Sequence, residues 1–215
     1  MNSSHIFDFF DTPKTPTTTV VTQGYEPVVP DDWEAVSAIG PTPDGPWIAG
    51  GATLAWFNGH AVGESDIDVF CRDVQQKDEL EQRLIGFGAQ ASFRSNNAVT
   101  FTYSSKIGTM SAQTWKIQLI TREYYNSIEE VIGAFDISVC QLGTDGIQFV
   151  FGDQTLDDIK NKVLRMSDPP RAGALKRYCK YVAYGYRPTV GLHEAIVDNP
   201  NTTWEFEGSE DYDDF

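Results

Sequence analysis

The sequence predicts a mixed α/β (α+β) domain, one central sheet with helices against it, followed by a short helical part. Three observations predict it. Short apolar runs bounded by Gly and Pro alternate with segments of helical period through most of the chain. Three strand-like segments stand in a row, QASFRS, AVTFTY and TWKIQLIT, the last alternating with Trp115, Ile117 and Leu119 on one face. After them the spacing becomes mainly helical, in TLDDIKNKVLRM and, beyond the break at Pro169-Pro170, in ALKRYCKYVAYGY.

The elements follow in order. Residues 1 to about 30 read as an arm, because TPKTPTTTVV mixes Pro with β-branched Thr and has no helical period. Within it, Ile6, Phe7, Phe9 and Phe10 form an apolar cluster that could dock on a protein partner, against the plainer reading of a terminus without fixed structure. Asp31-Asp32 reads as a helix start, with Trp33, Val36 and Ile39 on one face. Trp47-Ile48-Ala49 reads as a buried strand, Gly50-Gly51 as a tight turn, and ATLAWFNG as a helix ended by Gly59. Ile67 to Cys71 is a second strand, and Leu80, Leu84 and Phe87 mark a helix over 75–87. SIEEVIGAF reads as a helix capped by Ser127, with Glu130 at the capping-box position. FDISVCQL is expected as a strand, followed by a Thr-Asp-Gly hairpin turn into IQFVF. The organisation expected is an arm at 1–30, a core at 31–152, a basic helical extension at 153–190 and an acidic tail at 191–215.

Composition bounds the function. The chain has 215 residues, 40% of them apolar, enough for one core. No apolar run approaches the roughly 20 residues that cross a bilayer, and MNSSHIFDFFDTPK does not resemble a secretory leader, so a cytoplasmic protein is expected. Cys71, Cys140 and Cys179 are too scattered for a disulfide framework or a thiolate metal site. A net charge of -15 argues against general affinity for nucleic acid. Yet Lys160, Lys162, Arg165, Arg171, Lys176, Arg177, Lys180 and Arg187 face a single acid, Asp168, in their stretch. The tail from Glu205 carries six acids, with Phe206, Tyr212 and Phe215 among them. It reads as a solvated tail, or as a mimic of nucleic acid that lies over the basic helices.

The informative stretch is AGGATLAWFNGHAVGESDIDVF. On a strand, Asp66 and Asp68 project to one face while Ile67 and Val69 pack inward. Adjacent carboxylates repel unless a cation lies between them, and oxygen ligands favour Mg²⁺ or Mn²⁺. Taken alone, such a pair also fits two exposed acids at a strand end. Gly50-Gly51, between a strand and a helix, lets a phosphate approach the backbone. Gly-Gly, a helix, then an Asp-X-Asp flanked by apolar residues resembles the DNA polymerase beta-like nucleotidyltransferase superfamily, its tRNA nucleotidyltransferase-like members above all. The resemblance spans about 47–141 and implies the nucleotidyltransferase fold. It also implies metal ligands at Asp66 and Asp68 and a third carboxylate on a neighbouring strand, which Asp136 in FDISVCQL supplies. It implies two metal ions about 3.5–4 Å apart that clamp a nucleoside triphosphate and an attacking hydroxyl. A nucleoside monophosphate would move to an RNA end, a protein or a small molecule, and pyrophosphate would leave.

Around that centre, Ser65 could donate to a phosphate, and Arg171, Lys176, Arg177 and Lys180 could reach the triphosphate; Lys176 and Lys180 share a helical face. A solvated basic face is the plainer reading of these cations. Tyr178, Tyr181 and Tyr184 are expected in the core rather than as a stacking surface, and His60 as an inert loop residue. The competing function is a nucleotidyltransferase fold without turnover, serving binding or assembly. The arms are of a style met in phage proteins, which would place the chain in a host cytoplasm.

Overall fold

The computed structural model describes residues 30–63, 65–104, 113–171 and 173–197. The expected arm, apart from Pro30, and the acidic end of the expected tail lie outside these residues. A mixed sheet of seven strands forms the centre. In chain order its strands are β1 (Trp47–Ala49), β2 (Ile67–Phe70), β3 (Gln90–Arg94), β4 (Ala98–Ser104), β5 (Thr114–Ile120), β6 (Leu142–Thr144) and β7 (Phe149–Phe151). In space they run β3-β4-β5-β2-β1-β6-β7, and β2 and β5 are parallel neighbours.

The two faces of the sheet differ, and the period of two along each strand decides how. On one face Ile48, Ile67, Val69, Val99, Phe101, Ile117 and Leu119 are buried. They pack with helices α1 (Trp33–Ile39) and α3 (Val74–Phe87) through Val36, Ile39, Leu80 and Leu84. On the other face Trp47, Ala49, Phe70 and Val150 are closed by Ile128, Val131 and Ile132 of α4 (Ile128–Gly133). At the β5-β4-β3 end, this second face lines an open cleft.

The C-terminal part adds α5 (Thr155–Asn161), α6 (Ala174–Ala183) and α7 (Val190–Ile196), with a two-stranded ladder of β8 (Val163–Leu164) and β9 (Arg187–Pro188). Tyr178, Tyr181, Leu192 and Ile196 join the core that holds Cys140 and Leu164. The last helix, α7, ends at Ile196. No helix among the described residues is long and apolar enough to cross a membrane.

Three sequence expectations need correction. FDISVCQL is not one strand: Ile137 makes an isolated bridge to Met166, Ser138–Cys140 form a 3-10 turn, and β6 starts only at Leu142. The turn is stabilised by buried polar bonds that a pattern cannot reveal. Ser138 Oγ donates to Asp158 at 2.6 Å, and Arg165 forks onto the same carboxylate. The helix read over TLDDIKNKVLRM stops at Lys162, whose φ of 53° is left-handed, and its Nζ sits 4.3 Å above the Tyr186 ring. Trp33 is 55% exposed, so the buried stripe of α1 is Ala35, Val36, Ala38 and Ile39.

Asp32 precedes α1, but its side chain makes no capping bond. It turns inward and is fully buried. Its Oδ2 accepts from Trp56 Nε1 and Val62 N at 2.7 Å, and its Oδ1 from Trp115 Nε1 at 2.8 Å. One carboxylate thus ties α1, α2 (Gly51–Phe57), the loop before β2 and the start of β5. Removing it strands two buried indole N–H groups and an amide. Asp32→Ala is expected to cost roughly 3–5 kcal/mol in urea unfolding with an unchanged slope. A loss below about 1 kcal/mol would show that the tie is dispensable.

Candidate active site

Asp68 lies on β2 and Asp66 two residues before it, so the period of two sends both toward the cleft while Ile67 and Val69 face α1 and α3. The carboxyl of Asp68 is pushed up to about 7. Burial is the larger cause, the Asp66 carboxylate adds to it, and the Lys180 ammonium opposes both. The strand therefore holds a like-charge pair in a place where charge is costly.

The glycines shape the wall beside this pair. Gly50 has φ 85°, which favours glycine, and its N–H donates to Leu142 O at 2.9 Å. The backbone there is close to the acids: a Cβ on Gly50 would stand 3.4 Å from the Phe135 ring and 3.7 Å from Asp68 Oδ2. At Gly51 the nearest group is Lys180 Nζ, 3.8 Å from where a Cβ would be. Thr53, buried in the first turn of α2, holds the bend by donating to Gly50 O and Leu142 O.

Asp136 is brought to the same cleft by a different route. It sits in the loop after α4 and is almost fully buried. Its Oδ2 accepts from Arg177 Nη2 at 2.6 Å and from Arg171 N at 2.8 Å. It is not on a strand next to β2, contrary to the expectation for the third carboxylate. The parallel neighbour of β2 is β5, and the register places Gln118 beside Asp68. One step back along the same face stands Lys116, in line with Asp66.

The cleft has a volume of about 780 Å³. Its lining includes Asp66, Asp68, Asp136, Arg171, Lys176 and Arg177. Of the other residues named from sequence, Lys180 acts on Asp68 electrostatically and stands against Gly51. Ser65 is a turn residue whose N–H donates to Val62 O, and it is not among the lining residues. His60 is exposed, and His193 bonds the Tyr178 hydroxyl at 2.7 Å. Tyr178 and Tyr181 are in the core, as expected, whereas Tyr184 is exposed. The structure adds Lys116, Gln118, Arg122 and Phe93 to the lining. The alternation of TWKIQLI could have identified the first two, because it sends Lys116 and Gln118 away from Trp115 and Ile117.

The donor set suits a hard divalent cation in one respect. Asp66 and Asp68 offer oxygen ligands from one strand face, and the raised proton affinity of Asp68 is what a cation would relieve. Among the described residues no three His, Cys, Asp or Glu side chains stand together as a metal cluster.

Solved structures share the fold. The Thermotoga maritima CCA-adding enzyme complexed with tRNA is 15% identical, with a TM-score of 0.57, covering 80% of this chain and 44% of that one. The Bacillus stearothermophilus CCA-adding enzyme in complex with CTP is 16% identical, with a TM-score of 0.55, covering 79% of this chain and 44% of that one. The chain thus spans under half the length of the structures it matches. At such identity the likeness establishes the fold, which is nucleotidyltransferase-like. No curated protein sequence matches the chain. A family model does match, over residues 37–162, which is more than half of the chain and includes the acids and the glycine turn. The chain belongs to the family it describes, the Gabija anti-defense 2 family proteins.

Proposed function

We propose that the chain is a metal-dependent nucleotidyltransferase, which moves a nucleoside monophosphate from a triphosphate to a hydroxyl and releases pyrophosphate. One observation carries the reading: Asp66 and Asp68 share a cleft face in which Asp68 is held at a pKa of about 7, opposite a basic helix. Asp66 and Asp68 would hold Mg²⁺ or Mn²⁺. When bound, the ion supplies neutralisation of the pyrophosphate and acidification of the attacking hydroxyl. The protein positions the rest. Arg171, Lys176, Arg177 and Lys180 bind the triphosphate from the α6 side, where Gly50-Gly51 leaves room for a phosphate near the backbone. Arg177 is shared between that triphosphate and Asp136. Asp136, held by Arg177 and the Arg171 amide, would complete the site as the third acid and help activate the attacking hydroxyl, whose proton passes to water. In a family described as acting against the Gabija defence, such chemistry would serve that end, and a phage protein at work in a host cytoplasm would fit it.

The test is label transfer from each α-labelled nucleoside triphosphate with Mg²⁺ or Mn²⁺, offering RNA, protein and small metabolites. Transfer to one acceptor class is expected, reduced about 10²-fold or more in the Asp66→Ala, Asp68→Ala double variant. Metal-dependent binding of a triphosphate with no pyrophosphate released would instead make the chain a nucleotide-binding module.

Protonation gives a second test, independent of any acceptor. The Asp68 carboxyl keeps its proton up to about pH 7 in the fold, while the unfolded chain releases it near 3.8. Its contribution to stability is therefore fully present below the unfolded value and is lost as the pH rises through about 7. Without metal, Asp68→Asn is expected to be more stable than the parent at about pH 8, by a few kcal/mol, and equal to it near pH 4. Added Mg²⁺ should stabilise the parent at about pH 8 and leave the variant unchanged. Equal stability of the two at both pH values would refute the account of the pair.

A further inference from the structure

The floor of the cleft carries acids on one strand only. β2 contributes Asp68, with Asp66 just before it, and β5, its parallel neighbour, contributes Lys116, Gln118 and Ile120. Ala98 and Thr100 follow from β4, then Ser92 and Phe93 from β3, so no other strand of the floor adds a carboxylate. The third acid of the lining, Asp136, comes from the loop after α4, and its Oδ2 already accepts from Arg177 and from the Arg171 amide.

Two carboxylates from one strand suit one hard cation, which takes its remaining ligands from water and phosphate oxygens. They do not suit a pair of ions about 3.5–4 Å apart, because the second ion needs anionic ligands on its own far side. In this fold that side is β5, which offers an ammonium and an amide. A second ion would also bring two more positive charges to a place where Lys180 already acts on Asp68. The two-ion site implied by the sequence resemblance therefore does not fit the residues present among those described.

Lys116 stands where the second ion would be. The register pairs Ile67 with Ile117 and Asp68 with Gln118, which sets Lys116 level with Asp66, one strand spacing of about 4.8 Å away. Trp115 and Ile117 on either side are buried, which fixes the cleft as the direction of the half-buried Lys116. Gln118 is tied toward β4, its Nε2 donating to Thr100 Oγ1 at 3.4 Å. The group that β5 presents beside Asp66 is thus a compact cation with three donors.

We infer that the site works with one divalent ion, and that Lys116 is a catalytic residue in the place of a second. Its Nζ donates to the oxygen of the attacking hydroxyl and offsets the charge that gathers there as the proton leaves. The inference rests on the transferase reading for its chemistry. The hydroxyl oxygen bonds to the α-phosphorus of the triphosphate, and the bond from that phosphorus to the bridging oxygen breaks. Pyrophosphate leaves with the electron pair, the hydroxyl proton passes to water, and Lys116 keeps its own protons throughout.

Counting ions tests this apart from turnover. Native mass spectrometry of the full chain with inorganic tripolyphosphate and Mn²⁺, counted against the Asp66→Ala, Asp68→Ala variant, should show one ion in the complex. Lys116→Asp, which sets a third carboxylate beside Asp66, should admit a second, with a melting curve to verify the fold. Two ions on the parent, or one on both folded chains, would overturn the inference and leave the transferase reading in place. No ion on the parent would remove the transferase reading and the role of Lys116 with it. Kinetics decide even where Lys116→Asp does not fold. With the acceptor found by label transfer, Lys116→Met should lower kcat about 10²-fold and leave KM for the triphosphate within about twofold. Lys116→Arg should recover part of kcat. Parental kcat in Lys116→Met would reduce Lys116 to a counter-ion of the two acids, which overturns the inference alone.

Discussion

The Arg177–Asp136 ion pair fastens the basic helix α6 beside the acidic strand β2, and the geometry of the cleft depends on it. Asp136 is almost wholly out of water, so its charge needs a partner in the fold. Arg177 provides one, and the Arg171 amide provides a second donor. The chain around the pair is held by its own bonds: Ser167 N donates to Asp136 O, and Ser138 N to Arg165 O. Once the helix is seated, Lys180 comes close enough to Asp68 to offset part of the cost of charging it. Fold and electrostatics are thus joined at one point.

The distribution of charge follows from the same contact. The molecule as a whole is strongly acidic, yet the cleft gathers Lys116, Arg122, Arg171, Lys176 and Arg177 around three aspartates. A concave site with low-dielectric walls concentrates such a local field, while the outer surface repels polyanions. Opposed fields of this kind favour small anions over long ones.

Much of this was legible in the sequence wherever a simple period governs. Ile67 and Val69 against Asp66 and Asp68, and Trp115, Ile117 and Leu119 against Lys116 and Gln118, follow the alternation of strands, and the structure keeps both. Features fixed by distant partners were not legible. Asp32 resembles a helix cap, and its role depends on two tryptophans 24 and 83 residues away. FDISVCQL has strand composition, but Asp158 and Arg165 draw Ser138 into a turn. The bulge at Ser92-Phe93 changes which face a ring occupies without changing composition. In the first two cases long-range bonds outweigh a local preference of under about 1 kcal/mol per residue.

The same physics bears on whether the fold is an enzyme or a scaffold. A scaffold gains nothing from Asp68: the carboxyl is enclosed, faces a second acid, and would be more stable as an amide of the same shape. Nor does a scaffold need Gly50, whose left-handed backbone brings the chain up against that carboxylate when an ordinary bend would serve. Burial of Asp68 beside Asp66 opposes folding, and on the transferase reading a cation between β2 and α6 would offset that cost. The arrangement is harder to reconcile with a surface that only holds a partner, where hydrophobic contacts would give affinity without such costs.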